Sequence, residues 1–83
     1  MLRHYFVNGR LREIPARASK RRIVLTRVAL AFEPGVRYAE RDVNAIVARF
    51  HTDHAALRRY LVDEGLLARD HGEYWRTGGP VDV

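Results

Sequence analysis

Cysteine is absent from the chain, which excludes disulfides and thiolate metal sites and agrees with a cytoplasmic protein. Long apolar runs are missing as well. The densest, Val28-Ala29-Leu30-Ala31-Phe32, has five residues, against the roughly 20 of a membrane span, so no membrane contact is expected. The opening MLRHYFVNGR lacks the apolar core of a signal peptide. There is no phosphate-binding glycine loop, nucleophile elbow or paired-carboxylate motif. No catalytic residue is therefore assigned, no cofactor is expected, and the chain is read as non-enzymatic. Linkers, internal repeats and low-complexity segments are also lacking, so the 83 residues are read as one domain.

What is present is ordinary for a small folded protein: 47% hydrophobic and 30% charged residues, too apolar for disorder. A chain of this size buries only roughly 60–65% of its unfolded surface, so the core must be thin. The net charge is +5, and every basic residue but Lys20 is arginine. That charge is unevenly placed. Residues 1–27 hold eight basic residues and one acid, whereas residues 28–83 hold seven basic and nine acidic ones. An electrostatic footprint for an anionic partner is thus expected in the N-terminal third.

The pattern of apolar residues predicts the elements. Asn8-Gly9 between apolar residues predicts a hairpin over about 4–15, ended by Pro15. Leu25, Val28, Ala29 and Phe32 fall at helical spacing, predicting a helix over about 19–33, with Ser19 as N-cap and Pro34-Gly35 as stop. After a short extended piece at Arg37-Tyr38, Val43, Ile46, Val47 and Phe50 predict a second helix over about 40–50. A third, about 53–64, is capped by Thr52 or Asp53 and stopped by Gly65. A hairpin around Asp70-His71-Gly72 forms a wing over about 66–77, followed by a tail from Gly78. Helix, strand, two helices and a hairpin, in that order, give an α+β fold: a winged helix-turn-helix with an added N-terminal hairpin. That hairpin is expected to pack through Tyr5, Phe6, Leu11 and Ile14.

Candidate contact residues follow from charge and exposure. Arg17, Lys20, Arg21 and Arg22 cluster at the start of the first helix, where cations oppose the helix dipole; they form a candidate phosphate anchor, the alternative being a solvated helix face. Arg58 and Arg59 reach DNA if the third helix is a recognition helix. The alternative is that Arg58 pairs with an acid of the second helix and Arg59 with Asp63 one turn on. Arg76 is a candidate wing contact, while Tyr38 and Trp75 are candidates for a protein-interaction surface. Asn44, a poor helix former, is read as the site of a buried hydrogen bond that fixes the turn between helices, with ligand contact as the alternative. His51, Asp53 and His54 have a metal-like composition, but a helix start between them and the absence of cysteine speak against it, and no metal is assigned.

These segments together resemble a bacterial domain-of-unknown-function family. Its members often lie C-terminal to arsenic-repressor-type helix-turn-helix regulators and sometimes stand alone, as expected here. The resemblance is carried by Gly9-Arg10-Leu11, Ile14-Pro15, Lys20-Arg21, Tyr38 with Glu40, Val43 and Asn44, then Phe50-His51 with Asp53. It continues through Leu57-Arg58-Arg59, Leu61-Val62, Gly65-Leu66-Leu67 and Tyr74-Trp75-Arg76. The family commonly has Ser or Thr where this chain has Ala39, so a helix-capping hydroxyl is absent. The resemblance implies an association with transcriptional regulation. The expected function is an accessory domain that binds nucleic acid weakly through its basic N-terminal third. The alternative is a protein-interaction or effector-sensing module that docks on a separate regulator. A continuous positive surface from that third to the outer face of the third helix favours DNA, and separated surfaces favour docking.

Overall fold

The computed structural model describes residues 5–78. Within them the elements run β1 (Phe6–Val7), β2 (Arg10–Leu11), α1 (Ala18–Ala29), β3 (Arg37–Ala39), α2 (Glu40–Ala48), α3 (His54–Asp63), β4 (Leu67–Asp70) and β5 (Glu73–Arg76). They make a mixed α+β domain with three helices, a two-stranded hairpin and an antiparallel sheet of order β3-β5-β4. The expected hairpin start at His4 and the tail beyond Gly78 lie outside the described residues.

Turn chemistry sets both hairpins. Asn8 and Gly9 have φ of 52° and 80°, and His71 and Gly72 have 51° and 80°. Paired positive φ values define the tight turn whose twist matches the flanking strands. The pairing follows: Phe6 opposes Leu11, and Asp70 opposes Glu73.

The N-terminal hairpin does more than cover apolar surface. Arg10 Nη1 donates to the Ala48 and Arg49 carbonyls at 3.1 Å each, and the Leu11 N–H donates to the Phe50 carbonyl at 2.6 Å. These carbonyls end α2 and have no partner further along the helix. The hairpin supplies one, and the Phe6 ring meets Phe50 edge-on at 6.4 Å.

Two helix ends depart from the sequence expectation. Arg17, not Ser19, stands at the N-cap of α1, with no side-chain cap. The chain entering α1 is held instead by Arg21, whose Nη1 donates to the Pro15 and Ala16 carbonyls at 3.3 and 2.8 Å. The regular helix also ends at Ala29, four residues before Glu33. The N–H groups of Leu30, Ala31 and Phe32 bond three residues back, tightening the last turn while still bringing Phe32 into the core. Ala39 is the N-cap of α2, with no side-chain hydrogen bond, in line with the missing hydroxyl.

The end of α3 matches its sequence signal. Gly65 has φ of 74°, its N–H donates to Val62, and the Leu66 N–H reaches back to Leu61, the hydrogen-bond pair that closes a helix on a left-handed glycine. The core comprises Leu11, Val24, Leu25, Val28, Ala29, Phe32, Val43, Val47, Leu57, Leu61, Leu66, Leu67 and Tyr74, with Ile46 half-buried against it. Among the described residues, no charged side chain is buried there. Every functional candidate therefore lies at the surface, and contacts there decide which are available.

Candidate nucleic-acid interface

The third helix is set by its cap. Asp53 Oδ1 accepts the Ala56 N–H at 3.2 Å, and His51 Nδ1 accepts the Asp53 N–H at 2.9 Å. His51 and Asp53, two of the residues with metal-like composition, thus build the turn into α3, and no group of three metal-ligating side chains stands together among the described residues. With Leu57 and Leu61 buried, a 100° step per residue puts Ala55, Arg58, Arg59, Val62 and Asp63 on one outer flank and Tyr60 and Glu64 on the other.

The first flank borders a cleft. Ala55, Arg58, Arg59, Val62 and Asp63 of α3 line it together with Arg69 of β4 and Tyr74 of β5, enclosing about 220 Å³. Arg58 is half-buried and donates through Nη1 to Asn44 Oδ1. Its partner in α2 is therefore an amide, not an acid, and Asn44 ties α2 to α3 as its place in the sequence suggests. Arg59 is exposed, and among the described residues no ion pair joins it to Asp63. The Arg69 guanidinium lies 5.9 Å from the Tyr74 ring centroid.

Tyr74 forms part of the cleft wall and is held from the α2 side, its hydroxyl donating to Glu40 Oε1 at 2.9 Å. Burial of the phenol raises its pKa above 10.0, and the hydrogen bond to Glu40 adds to the rise, while the Arg58 and Arg69 charges oppose it. The phenol therefore stays a neutral donor and leaves the positive charge of the cleft uncancelled.

The N-terminal cluster is organised differently. Arg21 turns inward: besides its bonds to Pro15 and Ala16, its guanidinium covers the Tyr60 ring at 4.5 Å. Arg22 Nη1 donates to the Glu64 carbonyl at 2.7 Å and faces Glu64 Oε1 at 3.5 Å. Both arginines thus lie against the Tyr60–Glu64 flank of α3, across the helix from the cleft. Arg17 is exposed at the helix start and Lys20 is half-buried. The expected anchor of four cations is divided, because helix packing draws two of them into the fold.

Two further candidates make internal contacts. Arg76 turns back from the β4–β5 hairpin, its Nε donating to the Gly78 carbonyl at 3.0 Å and its Nη1 to the Phe32 carbonyl at 3.1 Å. The Tyr38 hydroxyl accepts the Glu33 N–H at 2.9 Å, and its ring meets Phe32 edge-on at 5.2 Å, which commits this side chain to the fold. Trp75 is half-buried on the opposite sheet face. There the Arg37 guanidinium covers it at 4.2 Å and faces Glu73 at 3.8 Å.

Sequence reasoning missed Arg69 and Arg37. The signal for Arg69 was present: alternation along β4 places it on the same face as Leu67, and its partner across the ladder is Tyr74. Arg37 becomes visible only through the β3–β5 pairing, which sets it opposite Trp75.

No curated protein and no solved structure matched the chain. A family described as uncharacterised proteins conserved in bacteria matches it over residues 10–76, from the second strand of the first hairpin to the end of β5. On that match the chain belongs to this bacterial family, DUF2087.

Proposed function

We propose that this domain is a winged helix-turn-helix module that contacts nucleic acid through α3 and the β4–β5 wing in the service of transcriptional regulation. The order α1, β3, α2, α3, β4, β5 and the strand order β3-β5-β4 support the architecture. It offers α3 as the reading helix and β4–β5 as a wing beside it. The observation that carries the proposal is the cleft with Arg58, Arg59 and Arg69 against one acid, Asp63. Guanidinium groups suit phosphate oxygens in charge and shape. Glu64, which stands to repel a phosphate backbone, is paired with Arg22. The resemblance to domains that accompany arsenic-repressor-type regulators supports the transcriptional setting.

The contact surface in this proposal is not the N-terminal third, because Arg21 and Arg22 are held by internal partners. The test is fluorescence anisotropy of a labelled duplex over a salt series. Affinity is expected to fall steeply with salt, and Arg59→Ala and Arg69→Ala each to reduce the salt slope by about 1. Binding insensitive to salt and to both substitutions excludes the reading.

A second reading, docking on a separate regulator, is favoured by the same division of positive charge between two flanks of α3. It is also favoured by the Arg37–Trp75 stack on the sheet face turned away from the core. Trp75→Ala is then expected to abolish co-purification with a regulator while leaving duplex affinity unchanged.

A further inference from the structure

We infer that the cleft between α3 and β4 is a binding site for a single phosphate group, with Arg59 and Arg69 as its principal ligands and Arg58 as the third. The inference rests on the nucleic-acid reading only for the source of that phosphate: the backbone of a duplex or a small phosphate ester.

The arginines of the domain fall into groups by what holds them. Arg10, Arg21 and Arg76 donate to backbone carbonyls, and Arg22 and Arg37 face carboxylates. Unlike these five, none of the three in the cleft is tied to a backbone carbonyl or to a carboxylate among the described residues. Arg58 is held by the neutral oxygen of Asn44, which orients the guanidinium without cancelling its charge and takes only one of its five N–H donors. Arg69 lies over the Tyr74 ring at 5.9 Å, a contact that leaves its edge donors open. Tyr74 in turn is buried and tethered to Glu40, so this wall of the cleft is built into the core.

Two rigid elements thus supply cations to one concavity, the arrangement that planar, two-pronged recognition of a phosphate requires. Size narrows the ligand. At about 220 Å³, the cleft is smaller than the roughly 300–1,000 Å³ of drug-sized pockets. A phosphate group fits that space, with the remainder of its molecule left outside. Asp63 at the wall opposes an anion. It leaves three cations against one carboxylate, and gives the site an acceptor for a hydroxyl beside the phosphate.

The test follows arginine Nε–Hε signals by nuclear magnetic resonance as the full chain is titrated with inorganic phosphate, then with a short duplex. Saturating shifts are expected at Arg58, Arg59 and Arg69, with Arg12 and Arg27 as unshifted controls. Arg59→Gln and Arg69→Gln are each expected to weaken phosphate binding roughly tenfold. Both side chains are exposed, so the unfolding midpoint is expected to hold and report that the fold is intact. Equal, non-saturating shifts at the control arginines overturn the site. If phosphate saturates the cleft and the duplex leaves it unshifted, the site stands for a small phosphate ester and the nucleic-acid reading falls. If the duplex binds and neither probe shifts the cleft, the site falls and the duplex is held elsewhere.

Discussion

Arg22 of the first helix donates to the Glu64 backbone carbonyl at 2.7 Å and so closes the end of the third helix from outside. A cation at a helix C-terminus meets unsatisfied carbonyls and the negative end of the helix dipole. The same placement is unfavourable for α1, since Arg22 lies near its N-terminus. The contact with α3 gives Arg22 a partner that offsets that cost.

Replacing Arg22 with alanine is therefore expected to destabilise the domain by about 1 kcal/mol, mostly through the carbonyl bond. The carboxylate contact is solvent-screened and contributes less. For a domain of this size that is a melting shift of roughly 4–8 °C. Lys20→Ala, by contrast, is expected to stay within about 0.5 kcal/mol. Urea unfolding of both variants measures the difference.

The Asn44–Arg58 bond joins α2 to α3 and is open to a double-mutant cycle. Asn44→Ala and Arg58→Ala are each expected to cost about 1 kcal/mol, with the double variant short of their sum by about 0.5 kcal/mol or more. Strict additivity in urea unfolding means that the bond contributes nothing to stability.

Tyr74→Phe removes the hydrogen bond to Glu40 and is expected to cost about 1 kcal/mol at neutral pH. Because burial raises the Tyr74 pKa in the folded state, its contribution is complete below the unfolded tyrosine value of about 10. It is lost as pH rises through the folded value. The stability gap between the parent and Tyr74→Phe is thus expected to close above about pH 10. Unfolding curves of the pair across the alkaline range check this.

Gly65→Ala introduces a side chain where φ is 74° and no neighbour lies within 4 Å. The cost is then conformational alone, about 1–2 kcal/mol. Asparagine, which tolerates this conformation better, is expected to recover part of it. Thermal unfolding of the two variants distinguishes backbone strain from a packing effect.

Much of the fold was legible before the structure. Helical spacing marked Val43, Val47, Leu57 and Leu61, all buried. Asn8-Gly9 and Asp70-His71-Gly72 marked the two tight turns, Gly65 marked the end of α3, and Thr52 or Asp53 its beginning. Each is a local signal, decided by backbone preference within a few residues. The ends of α1 were read less well. The flanking bonds are donated by Arg21 to Pro15 and Ala16 and by Arg76 to Phe32, and accepted by the Tyr38 hydroxyl from the Glu33 N–H, and no local pattern announces them.

The candidate site divides along the same line. Sequence alone determined which residue types were available: a net positive charge concentrated before residue 28, a third helix carrying Arg58 and Arg59, and an amide at position 44. It could not determine which guanidinium groups would find partners inside the fold. Arginine is long and carries five donors, so its availability depends on the carbonyls and carboxylates that distant elements bring within reach. Tertiary packing gave Arg21 to Pro15, Ala16 and Tyr60, and gave Arg22 to Glu64. The same packing placed Arg69 of β4 beside Arg58 and Arg59, and thereby decided which positive charges face a ligand.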